Sequence, residues 1–208
     1  SNTWDRQLVY EASNITSTEA RGKNNKYDLS YWNPTINLAR DPRWGRNEES
    51  YGEDPYLTSE IGAKSVEGMQ GEDAKYLKTI ATLKHFAANN CEGERQTGTS
   101  VMTEKTFREY YTRTFKDIVE SSNPASVMSS YNALTISRNG EVFSDYIASS
   151  ANKYLLTDLL RRTWGFSGYV VGDCGAWENL FGRQSMRQKL FPDWNLDDIT
   201  APMAVSSF

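Results

Sequence analysis

Asp173 stands between Gly172 and Gly175, just past the short apolar run Tyr169-Val-Val171. β-favouring residues with glycines on both sides read as a buried strand. In α/β folds functional groups collect at the carboxyl ends of strands, so a carboxylate with small neighbours there leaves space for a ligand. It could equally end the strand or cap the next helix. Lys84 and His85 close a second β-like run, 80–86, and Tyr131 closes a third, 126–131. Arg46 and Arg95 lie in the polar loops that follow such runs. If the strands are parallel, these six groups surround one concavity. A carboxylate among Lys and Arg stays ionised, because positive charge lowers its pKa. That suits a nucleophile or an electrostatic stabiliser rather than a general acid. Guanidinium and ammonium donors suit the hydroxyls of a sugar.

Each group also has a plainer reading. His85, the one histidine of the chain, could be a structural hydrogen-bonder. Arg46 could bridge loop carboxylates such as Glu48, and Tyr131 could belong to the core. Lys84 is costly inside unless paired, or it snorkels out. Their joint placement on one rim favours function.

The elements that must place these groups follow one cycle. Trp4, Leu8, Ala12 and Ile15 are spaced as one helix face, expected to be the buried one. A strand is expected near 31–37, with Pro34 marking an end or an irregularity. A long charged loop then runs to the Asp54-Pro55 helix start, and Leu57, Ile61 and Val66 give that helix its inner face. The run 80–86 is the next strand. A polar loop leads to Thr103, which caps a helix carrying Phe107, Tyr111, Phe115 and Ile118 as one stripe. The strand at 126–131 precedes a polar, glycine-containing loop to about Ser149. A helix at 151–164 turns Leu155, Leu159 and Leu160 inward, and the strand before Asp173 follows. A helix start is expected near Asp197 or Asp198. Helix, then strand–loop–helix three times, then strand, is an α/β chain with about four parallel strands and right-handed crossovers. A closed barrel needs about eight strands, so four would be part of one.

Composition excludes several classes. Of 208 residues 38% are hydrophobic, 24% charged and 12% aromatic, which argues against disorder. The net charge is −4 without a basic stripe, so no nucleic-acid partner is expected. No apolar run approaches the ~18 residues of a membrane span, and no signal peptide is visible, which leaves the compartment open. There is no Cys/His cluster for a metal and no phosphate-binding glycine loop. Cys91 and Cys174 both follow strand ends, which leaves their pairing undecided.

Five ordered stretches carry a resemblance: Asn37-Leu-Ala-Arg-Asp-Pro-Arg-Trp-Gly-Arg46, Tyr51-Gly-Glu-Asp-Pro-Tyr56, Lys84-His-Phe-Ala-Ala-Asn-Asn90, Val127-Met-Ser-Ser-Tyr-Asn132 and Gly165-Phe-Ser-Gly-Tyr-Val-Val-Gly-Asp173. Together they resemble glycoside hydrolase family 3, in its β-glucosidase and β-xylosidase members. The resemblance implies a partial (β/α)8 TIM-like catalytic domain over residues 1–208, without the opening strands, barrel closure or second domain. It implies Asp173 as catalytic nucleophile, and Arg46, Lys84, His85 and Arg95 as holders of the innermost sugar's hydroxyls. Tyr131 falls on the tyrosine beside the nucleophile. The expected substrate is an oligosaccharide or an aryl or alkyl β-glycoside ending in β-D-glucosyl or β-D-xylosyl, with no metal and no cofactor. Lys84-His85-Phe86-Ala87-Ala88 without a second histidine speaks against the N-acetylglucosaminidase branch. In most members the general acid comes from the second domain. Glu48, Glu49, Glu53, Glu92 and Glu94 are therefore expected to be structural or solvated. The rival reading is a non-catalytic carbohydrate-binding or decayed paralogue.

Overall fold

A computed structural model describes residues 3–24 and 29–176. The expected helix start near Asp197 or Asp198 lies outside the described residues. Four β-favouring runs pair side by side in one parallel sheet: β1 (Ser30–Tyr31), β2 (Ile80–Phe86), β4 (Ser126–Ser129) and β7 (Tyr169–Gly172), in the order β1-β2-β4-β7. Ser30 pairs with Ile80, Leu83 with Val127, and Met128 with Val171. The first strand is shorter than its sequence suggests. After Tyr31 the ladder is interrupted, the Asn33–Pro34 bond is cis, and pairing resumes only as a bridge between Thr35 and Lys84. Proline cannot donate to a ladder, which accounts for the break.

Helices cross between the strands. α1 (Arg6–Asn24) precedes β1, and α2 (Pro55–Gln70) leads into β2. Asp54 caps α2, accepting from the Leu57 amide at 2.7 Å, with Pro55 in the first turn. Thr103 caps the next helical segment in the same manner. That segment runs as α3 (Glu104–Thr106), a π-helical stretch (Phe107–Tyr111) and α4 (Arg113–Ser122). A second π-helical stretch, Tyr154–Thr163, precedes β7. The inward stripes follow the predicted spacing, except that Leu57 and Tyr111 are only half-buried. Ile61, Val66, Phe107, Phe115, Ile118, Leu155, Leu159 and Leu160 are buried, and Phe86 packs on Phe115 and Trp164 at the centre.

Two expectations are corrected. The Trp4, Leu8, Ala12 and Ile15 face of α1 is exposed, Trp4 by 81%. The buried face carries small residues instead. Ser13 bonds Ser65, Ser17 donates to the Gly68 carbonyl, and Ala20 is buried. Gly68 makes this possible, because a Cβ there would lie 2.5 Å from the Tyr10 carbonyl oxygen. Close approach of backbones outweighed apolar periodicity.

The presumed loop from 133 to 148 is a hairpin, β5 (Ala133–Arg138) and β6 (Glu141–Ala148), turning at Asn139-Gly140. Both turn residues have positive φ, 52° and 86°, as a two-residue hairpin of the primed type requires. β3 (Thr99–Thr103), inside the second presumed loop, pairs parallel to β5 and completes a three-stranded sheet β3-β5-β6. The β5–β6 register shifts near Leu134, Ile136 and Ser137, and Tyr146 has φ 56°. Those irregularities break the alternation that would have revealed the strands. This sheet springs from Asn132, directly after the carboxyl end of β4, and so stands beside the candidate site.

Candidate active site

The end of β2 is pinned to the segment after β1. The Ile36 amide donates to the Lys84 carbonyl at 2.8 Å, and the Lys84 amide to the Pro34 carbonyl at 3.1 Å. The Lys84–His85 and Phe86–Ala87 peptide bonds are cis. His85 is 1% exposed. Its amide donates to Asn37 Oδ1 at 2.7 Å, and its Nδ1 lies 3.0 Å from the same oxygen. The other nitrogen, Nε2, lies 3.6 Å from Asp173 Oδ2. Burial, reinforced by the charges of Arg46, Lys84 and Arg95, pushes the imidazole pKa down to about 3. His85 is therefore neutral near pH 7 and does not form an ion pair with Asp173.

Asp173 follows β7 immediately. Its amide donates to the Ser129 carbonyl at 3.1 Å, which extends the β4–β7 ladder by one residue. Its Oδ1 accepts from the Cys174 amide at 2.8 Å. Tyr131 comes from the end of β4, and its hydroxyl donates to the Cys174 carbonyl at 2.6 Å. Burial first, and the Asp173 charge second, raise the phenol pKa. The Arg95 guanidinium covers the Tyr131 ring at 4.7 Å, within cation–π range. Tyr131 thereby braces the turn that presents Asp173.

The cations are themselves held. Arg46 makes a two-pronged bridge to Glu49, 2.7 Å on each arm, and Glu49 also accepts from Thr35 at 3.2 Å. The carboxyl of Glu49 is held below its usual range by Arg46. Lys84 is shifted down, first by burial and then by Arg46, while Glu49 and Asp173 oppose the shift. Arg95 bridges Glu92 at 3.0 Å, and Glu92 accepts from the Trp44 indole at 3.0 Å. The long charged loop is thus ordered by carboxylates that tie its arginines down.

His85 is brought against Asp173, and Arg46, Lys84 and Tyr131 each lie near enough to interact with that carboxylate. Arg95 reaches the group through Tyr131. The bridge foreseen for Arg46 exists, to Glu49 rather than Glu48. Asn37, Thr35, Glu49 and Glu92 were not singled out as site residues. Only Asn37 carried a signal, as the first residue of a quoted motif. Cys91 and Cys174 are both free. A cavity of about 560 Å³ lined by Ser150, Lys153, Leu156, Arg161 and Val170 contains none of the cluster. Charge and geometry, rather than volume, mark the site. Among the described residues no group of His, Cys, Asp and Glu could hold a metal. The arrangement offers a carboxylate, cationic donors and a neutral imidazole, which suits a polyhydroxylated ligand.

The comparisons agree in kind. The family model described as glycosyl hydrolase family 3 N terminal domain matches residues 1–190. The thermostable beta-glucosidase B of Acetivibrio thermocellus is 39% identical over 174 residues, covering 84% of this chain and 21% of that protein. The xylan 1,4-beta-xylosidase of Xylanibacter ruminicola is 37% identical over 194 residues, covering 86% and 21%. Among solved structures, a GH3 exo-beta-xylosidase in complex with a xylobiose aziridine activity-based probe superposes with TM-score 0.77 at 38% identity, covering 85% of this chain and 23% of that one. Beta-glucosidase 3B from Thermotoga neapolitana, in complex with glucose, gives 0.71 at 28%, covering 98% and 29%. The chain spans about a fifth of the length of these two curated relatives.

Proposed function

The chain belongs to glycosyl hydrolase family 3, and on that footing we propose that it is part of the catalytic domain of a retaining exo-β-glycosidase. The substrate would end in a non-reducing β-D-glucosyl or β-D-xylosyl residue. The observation that carries this reading is Asp173 at the end of β7, 3.6 Å from an uncharged His85 and within the field of Arg46 and Lys84. Asp173 attacks the anomeric carbon, one carboxylate oxygen bonds to it, and the bond to the leaving oxygen breaks. A general acid protonates that oxygen. Retention places the acid's carboxyl about 5–5.5 Å from the nucleophile. Glu49 and Glu92 are held by arginines, and membership of the family implies that the acid comes from a second domain of a longer protein. Water then releases the sugar from Asp173. Arg46, Lys84 and Arg95 donate to the sugar hydroxyls, and His85 accepts from one. Tyr131 fixes the turn after the nucleophile.

The test uses the full-length protein. A fluorinated sugar with a good leaving group should leave a covalent adduct on the peptide containing Asp173. Asp173→Ala should lower kcat roughly 10⁴-fold or more, and azide should restore turnover with inverted product, since the vacated space admits a small nucleophile. An adduct on another residue, or near-normal turnover by Asp173→Ala, overturns the assignment. Relatives named for both sugars appear above, so paired aryl glucoside and aryl xyloside assays decide between them.

A further inference from the structure

The strand-end histidine has one nitrogen facing the nucleophile, and which proton state that nitrogen holds is decided on its other side. Asn37 Oδ1 accepts from the His85 amide at 2.7 Å, and Asn37 Nδ2 donates to the Asn89 carbonyl at 3.2 Å. A backbone amide only donates and a backbone carbonyl only accepts. Those two partners therefore fix which end of the Asn37 side chain is oxygen. That oxygen, which cannot donate, lies 3.0 Å from His85 Nδ1. Nδ1 must carry the hydrogen. In a neutral imidazole Nε2 is then bare, and it faces Asp173 Oδ2 at 3.6 Å.

We propose that Asn37 is a positioning residue that locks His85 in its Nδ1–H tautomer, so that Nε2 accepts from a substrate hydroxyl and never donates to Asp173. The consequence concerns the nucleophile. An Nε2–H would aim a partial positive charge at Asp173 Oδ2 from 3.6 Å and weaken its attack. With Nε2 bare, two acceptors lie 3.6 Å apart, and a hydroxyl that donates to Nε2 comes to rest beside the nucleophile. The role given to the hydroxyl rests on the glycosidase reading above. The tautomer itself does not.

The experiment is ¹⁵N NMR of the histidine-labelled full-length protein without substrate. The ring signals that vanish in His85→Gln belong to His85. The expected wild-type spectrum has Nδ1 protonated and Nε2 unprotonated. Asn37→Leu should release the lock, giving mixed or reversed tautomers, and lower kcat/KM about 10- to 100-fold, mainly through kcat. Asn37→Asp keeps the acceptor and should keep the Nδ1–H signature. An unprotonated Nδ1 in the wild type overturns the proposal even if neither variant folds, and so does an unchanged tautomer in Asn37→Leu. A locked tautomer in a protein with no glycosidase activity would leave the lock standing and overturn only the function.

Discussion

A histidine that is buried and ringed by cations weakens its protein in acid. The pKa of His85 is pushed down to about 3 in the folded chain, against 6.5 for the free side chain. Between those values the unfolded state holds a proton that the folded state does not, so stability falls as pH falls through that window. The loss should be on the order of 2 kcal/mol between pH 6.5 and pH 5. Urea unfolding of the full-length protein at the two pH values, compared with His85→Gln, isolates the effect. An equal pH dependence in both proteins would refute it. At this scale residue type was informative but partnership was not. Asp173 and His85 declared themselves by standing at strand ends. Glu49 and Glu92 look in sequence like Glu48, Glu53 and Glu94, and only the bridges from Arg46 and Arg95 set them apart. An ion pair three residues apart in an irregular loop depends on a backbone path that no period encodes.

Elements show the same division between period and path. The helical stripes led by Phe107 and Leu155 were legible because burial on one face repeats with the helix. α1 buries small residues rather than its apolar stripe for a reason that Gly68 makes testable. A helical glycine replaced by alanine usually gains about 1 kcal/mol. Here the new Cβ would meet the Tyr10 carbonyl at 2.5 Å and Ser13 Cβ at 2.8 Å, contacts that only a separation of α1 from α2 relieves. Overpacking of that kind costs about 1–3 kcal/mol, so the sign reverses. Gly68→Ala should unfold at lower temperature, whereas Gly22→Ala, with nothing within 4 Å, should not. A Gly68→Ala protein as stable as the wild type would mean the helices are not in contact as described. The hairpin after β4 did leave a local mark, Asn139-Gly140, but bulges near Leu134 and Ile136 hid the alternation on either side. Its value to the site is positional. Ser130 and Asn132 at its base donate to the Ala87 carbonyl, which ties the loop after β2 to the end of β4.

For the molecule as a whole, the described residues provide four parallel strands, and β1 and β7 each pair on one side only. A closed barrel of this type uses about eight strands and leaves no edge. Unpaired edges invite pairing with other chains. The exposed stripe Trp4, Leu8 and Ile15 adds apolar surface of the kind that marks an interaction face. In the proposed reaction the general acid is expected from a second domain. On the proposed reading Asp173, Lys84 and His85 hold and attack a sugar, but an alkyl leaving group departs slowly without a proton, and among the described residues the carboxylates Glu49 and Glu92 are held by arginines. The 208 residues alone are therefore expected to self-associate and to leave cellobiose and xylobiose uncut. An activated aryl glycoside, whose leaving group needs little protonation, could still label Asp173 slowly. The measurement is to express residues 1–208, determine monomer content by sedimentation, follow unfolding, and assay the disaccharides beside the aryl substrate. A monomer that unfolds cooperatively and cleaves cellobiose would place the general acid inside this chain, and Glu49 and Glu92 would then have to be reconsidered first.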